Sequence, residues 1–124
     1  MTENKYRGKK IYRIIFNELL TATRYRGYVT YQEIAMLMGL PLKGNYMGKE
    51  IGQILGEISE EEHSRGRPML SAVALGAARL PGEGFFNLAG SLGYQFEATT
   101  AGKRAFWEEE KKKVYETWQR ELRE

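Results

Sequence analysis

Cysteine is missing altogether from this 124-residue chain, and histidine occurs once, as His63. The first absence rules out disulfides, thiolate metal ligands and any cysteine nucleophile. The second leaves too few of the usual ligands for a zinc site. No apolar run approaches the roughly 18 residues that a membrane span needs. The opening Met1-Thr2-Glu3-Asn4-Lys5 has no apolar stretch behind its basic residues, unlike a secretory leader, so cytoplasmic residence and no membrane partner are expected. There is no Gly-Lys-Ser/Thr phosphate loop, metal-ligand spacing, nucleophile elbow, internal repeat or low-complexity segment. Neither a cofactor nor a metal is implied, and the expectation is a protein that is not an enzyme.

What remains is an ordinary globular composition. Hydrophobic residues make up 42% and aromatics 12%, enough to fill one core, so residues 1–124 are expected to form a single domain. The net charge of +3 is unevenly spread. Up to Arg26 the chain carries Lys5, Arg7, Lys9, Lys10, Arg13, Arg24 and Arg26 against Glu3 and Glu18. Acids gather instead at Glu57, Glu60, Glu61 and Glu62, and again at Glu108, Glu109 and Glu110. A basic lobe suits phosphates, and a solvated helix face explains it as well.

Periodicity divides the chain into three parts. Within residues 1–27, Ile11, Ile15, Leu19 and Ala22, widened by Tyr12, Phe16 and Leu20, predict a helix from Lys9 to Tyr25, closed by Gly27. Within residues 28–93, Thr30 with Glu33 three residues on forms a capping box for a helix from Tyr31 to Met38, which buries Ile34 and Leu37. Gly39-Leu40-Pro41 breaks it, and Asn45 is expected to cap a third helix whose inner face is Met47, Ile51, Ile54, Leu55 and Ile58. The stretch from Thr30 to Ser59 thus reads as a helix-turn-helix. Met69 to Leu75 reads as a buried strand, Pro81-Gly82 and Gly84 as a turn, and Phe85-Phe86 as a returning strand, together a β-hairpin wing. Asn87 to Leu92 suits a short helix. Within residues 94–124, Thr99 or Thr100 starts a long helix with Trp107, Val114, Trp118 and Leu122 on one face. The expected class is mainly α with a small β-hairpin.

Tyr28-Val29-Thr30-Tyr31-Gln32-Glu33-Ile34-Ala35 resembles the "V-T-T-Y-G-E-I-A" opening of the DNA-binding domain of alkylguanine-DNA alkyltransferases and alkyltransferase-like proteins. Gly39-Leu40-Pro41 looks like that family's inter-helix turn, and Lys49-Glu50-Ile51-Gly52 like the "R-A-V-G" of its recognition helix. Pro68 to Val73 takes the place of the "P-C-H-R-V" strand, and Gly82 to Phe86 that of the following glycine-rich turn. The resemblance, from Tyr28 to Ala89, implies a winged helix-turn-helix. It implies that Tyr31 presses on a phosphate of a rotated nucleotide and that Lys49 stands where an arginine finger inserts. Lysine lacks the planar guanidinium that stacks on bases, so phosphate contact suits Lys49 better than intercalation. Met69 falls on the alkyl-accepting cysteine, and Leu70 and Ser71 on the histidine and arginine after it, which excludes the family's alkyl transfer. Two strings, His63 to Ala72 and Pro81 to Phe86, also resemble a group of small bacterial and phage proteins of unassigned function.

The expected DNA-facing residues are Tyr31, Gln32, Lys43, Asn45, Lys49 and Gln53, with Arg65 and Arg67 gripping backbone. The plainer alternative for Arg65 and Arg67 is an ion pair with Glu60 to Glu62. Two rival functions stand beside DNA binding. One is a protein-interaction module of a larger phage or defence complex, with Trp107, Tyr115 and Trp118 of the last helix also able to serve a homodimer. The other is a small-ligand or modified-base pocket around His63, Arg67 and Phe85.

Overall fold

The computed structural model describes residues 4–119; Leu122, expected on the inner face of the last helix, lies outside them. Helix α1 spans Lys10–Arg24, β1 Val29–Thr30, α2 Tyr31–Met38, α3 Asn45–Ser64, β2 Ala74–Leu75, α4 Glu83–Ser91 and α5 Thr100–Trp118, with a 3-10 turn at Leu70–Val73. The chain is mainly helical.

The inner stripe of α1 is Tyr12, Ile15, Leu19 and Thr23. The helix closes earlier than Gly27 predicts. Arg26 takes the left-handed position, at φ 54°, donating its N–H to Thr23 O at 3.1 Å while Gly27 donates to Ala22 O at 2.8 Å. An arginine is held there because Nη2 donates to Gln119 Oε1 at 2.7 Å and the head lies over Tyr115.

Thr30 caps α2 as its spacing predicts. Its hydroxyl accepts from Glu33 N–H at 3.1 Å, and the Glu33 carboxylate accepts the Thr30 N–H at 2.9 Å. Gly39, at φ 72°, closes the helix. Ile34 and Ala35 are buried, whereas Leu37, expected inside, is 43% exposed; it falls on the outer side of this short helix with Met36. The cap of α3 also differs from expectation. Gly44 occupies it at φ 99°, a conformation open to glycine, and Asn45 becomes the first helical residue without capping. The helix then runs unbroken through the acidic stretch to Ser64, because Ser59 and Glu62 continue the buried face of Ile51, Ile54 and Ile58.

The segment Met69–Leu75 is buried throughout and is contacted by α1, α3 and α5. It is not one strand. Its backbone groups meet side chains from elsewhere: Met69 N–H donates to Glu110 at 2.8 Å, Ser71 N–H to Ser59 Oγ at 3.1 Å, and Trp107 Nε1–H donates to Ala72 O at 2.8 Å. Buried peptide groups need partners, and these pins allow a 3-10 turn where a ladder would otherwise be required. The last two residues pair in parallel with β1, Val29 with Ala74 and Thr30 with Leu75.

The expected hairpin wing is therefore corrected. Among the described residues the sheet is this parallel pair, and Phe85 and Phe86 belong to α4, which starts at Glu83 rather than Asn87. Phe85, Phe86 and Ala89 are all buried, a helical pattern; alternation along a strand would have put one ring outside. Thr99 caps α5 by accepting from Gly102 N–H at 3.0 Å. Trp107 and Val114 are buried beneath α5, and Trp118 packs edge-on against Phe16 of α1.

Candidate nucleic-acid interface

The charges of α3 are sorted by what packs on it. Glu50, Gln53, Glu57 and Glu61 share one side of the helix, and residues 5–7 lie across it. The buried Glu57 carboxylate accepts three consecutive backbone N–H groups, from Lys5 at 2.7 Å, Tyr6 at 2.9 Å and Arg7 at 2.7 Å, and the Gln53 amide at 2.7 Å. Burial works against its charge, yet these donors outweigh it and hold the group below its ordinary range. Glu50 takes Lys5 Nζ at 2.5 Å and the Tyr6 hydroxyl, and the Lys5 hydrogen bond pulls it down in turn. Glu61 accepts from Tyr12 at 2.7 Å and from Arg65 at 2.8 Å, and Glu62 pairs with Arg67.

This arrangement separates the residues expected to face DNA. Gln53 is on the covered side, bonded to Glu57. Arg65 and Arg67 are in ion pairs beside a hollow of about 200 Å³ shared with Tyr12 and Phe16, and Arg67 lies 5.1 Å from the Trp118 ring. The plainer reading of both arginines is the one the geometry carries. Tyr31, Gln32 and Lys43 come together in a groove of about 490 Å³ between the start of α2, the α2–α3 turn and the loop after β2. Asn45 and Lys49 are exposed on the first turns of α3. Among the described residues Lys43 and Lys49 form no ion pair.

Tyr31 sits between that groove and a second one, about 250 Å³, walled by Gly48, Gly52 and Gly56 of α3 and by Gly82, Gly84 and Phe85 at the start of α4. Its hydroxyl accepts the Gly82 N–H at 2.6 Å, and its ring rests on Gly76 and Gly82. Burial raises its pKa, and among the described residues no acceptor takes its O–H.

The pocket expected around His63, Arg67 and Phe85 is not one place. His63 and Arg67 border a hollow of about 280 Å³ with Tyr94 and Glu110, while Phe85 lines the glycine-walled groove. His63 Nδ1 lies 3.4 Å from the Tyr94 hydroxyl, whose pKa burial pushes up to about 12. The aromatic residues of α5 turn toward the chain's own body: Tyr115 donates to Gly27 O at 2.7 Å, and Trp107 reaches Ala72.

Two groove residues escaped sequence reasoning. Tyr28 and Arg79 line the groove of Lys43. The available signal was that Arg79 is the only cation between Arg67 and Lys103. No family model, curated protein or solved structure matches the chain.

Proposed function

We propose that this is a non-enzymatic, cytoplasmic DNA-binding protein that lays α2, the following turn and α3 on a duplex as an alkyltransferase-like helix-turn-helix. The observation that carries this reading is the charge sorting on α3. Lys43 and Lys49 are exposed at its leading end and form no ion pair among the described residues, while Glu50, Glu57, Glu61 and Glu62 are engaged by other parts of the chain. Cations with no ion-paired carboxylate among the described residues attract phosphates and release their counterions, and the Glu33 carboxylate at the start of α2 is turned onto Thr30. Gln32, Asn45 and Lys49 are available to the groove edges, and the Tyr31 hydroxyl proton suits a phosphate oxygen. Arg65 and Arg67, held by their glutamates, are left out of the face. The missing thiol removes alkyl transfer but not the binding geometry.

Titration of duplex DNA by fluorescence anisotropy tests this. Affinity is expected to fall steeply with salt, and Lys43→Ala and Lys49→Ala are each expected to reduce the salt slope by about 1. Arg67→Ala should bind as the parent does. No measurable affinity at low salt overturns the proposal.

A protein-docking role for the same surface has its own support. Met36, Leu37, Leu42 and Tyr46 are large apolar side chains left exposed around the α2–α3 turn. Recovery of a stoichiometric protein partner together with absence of DNA binding would favour that role.

A further inference from the structure

We infer that the groove between Tyr28, Lys43 and Arg79 is a binding site for one nucleoside 5′-monophosphate, met either as a free nucleotide or as the phosphorylated end of a DNA strand. It shares Tyr31, Gln32 and Lys43 with the proposed duplex-binding face, but it does not depend on duplex binding.

Size comes first. At about 490 Å³ the groove falls within the range of roughly 300–1,000 Å³ typical of small-ligand sites. Its charge is of one sign. Lys43 and Arg79 both line it, both are exposed, and among the described residues neither forms an ion pair. No acid lines it. Glu33, the carboxylate joined to the groove residue Thr30, is turned onto that residue's N–H and hydroxyl, at 2.9 Å each. Two unopposed cations, one able to grip two oxygens in a planar fork, match a phosphate dianion. The rest of the wall matches a base. Tyr28 is a partly exposed ring, and Leu42, Met47 and Ala77 supply an apolar surface beside it. Stacking of a base on an aromatic ring contributes about 1–3 kcal/mol and tolerates any base.

The backbone is set for Arg79 in particular. Gly76 N–H donates to Leu80 O at 2.9 Å and Arg79 N–H to Gly76 O at 3.0 Å, closing a tight turn that holds Arg79 at φ 60°. A non-glycine residue in that region is strained and persists where its surroundings hold it. Among the described residues no hydrogen bond, ion pair or ring contact of the Arg79 side chain accounts for an arginine at this position. A ligand phosphate does.

The strain also makes the test clean. Arg79→Gly removes the cation and relieves the backbone, so the variant is expected to melt at or above the parent temperature. The full chain is titrated by calorimetry with a deoxynucleoside 5′-monophosphate, the corresponding nucleoside and inorganic phosphate. One-to-one binding of the monophosphate is expected, at least tenfold tighter than either fragment, with Arg79→Gly and Tyr28→Ala each weakening it tenfold or more. Absence of saturable binding, equal affinity for the nucleoside, or parental affinity in a folded Arg79→Gly overturns the inference. Short single strands with 5′-phosphate and 5′-hydroxyl ends separate the two sources. Preference for the phosphorylated strand assigns the groove to DNA ends, and preference for the mononucleotide assigns it to free nucleotide. Duplex affinity in Arg79→Gly is read in parallel. If nucleotide binding is absent and duplex binding persists, the groove fails alone. If duplex binding is absent and the nucleotide binds, the helix-turn-helix proposal fails alone.

Discussion

A fully buried carboxylate ordinarily destabilises a fold, and Glu57, which forms no ion pair among the described residues, is tolerated because four N–H donors converge on it. The three backbone donors come from consecutive residues 5–7, so one side chain organises a whole turn of the chain. Truncation leaves those amides without their acceptor. Glu57→Ala is expected to lower stability by about 3 kcal/mol or more, measured by thermal or urea unfolding. The pH dependence follows from the same geometry. Glu50, Glu57 and Glu61 are all held below their ordinary value of 4.5 in the folded chain. Their contribution is complete above that value and disappears as pH falls through the lower, folded ones. The melting temperature should therefore hold from neutrality to about pH 5 and decline below it, with a shallower decline in Glu57→Gln.

At the scale of elements, glycines on two helices answer alanine with opposite sign. On α3 a Cβ at Gly52 meets nothing within 4 Å, so Gly52→Ala should gain the helix propensity of about 0.5–1 kcal/mol. On α5 a Cβ at Gly102 would lie 2.5 Å from the Glu97 carbonyl oxygen, in the turn that Thr99 caps. Gly102→Ala should lower the melting temperature despite better propensity. Paired melts of the two variants check both signs. The same contrast between local and distant causes explains what the sequence made legible. The Thr30–Glu33 capping box, the Gly39 stop, the α1 stripe and the Thr99 cap rest on spacings of a few residues, and each was readable. Phe85-Phe86 was not, since two adjacent aromatics fit a strand or a helix until the burial of Ala89 decides. Met69–Leu75 was not readable as a turn either, because Ser59, Trp107 and Glu110, which satisfy its backbone, are far away in the chain. In the site, Lys43 and Lys49 stood out as cations on a predicted recognition element. Arg65 and Arg67 matched phosphates and nearby glutamates equally well, and only distances separate those partners. Arg79 and Tyr28 become neighbours of Lys43 only when β1 and β2 pair.

For the molecule as a whole, that pairing is the smallest element, two residues against two, joined through all of α2 and α3. A pair so short cannot hold itself together in water, and the entropy of closing so long a connection must be met by other contacts first. The strands are therefore expected to register after the two helices have docked. Substitutions confined to them act on the way out rather than the way in. Val29→Ala, which trims a buried side chain of β1, should speed unfolding severalfold in stopped-flow measurements and leave the refolding rate nearly unchanged. The groove between Tyr28 and Arg79 flanks that strand pair, so its persistence is expected to follow the lifetime of two residue pairs.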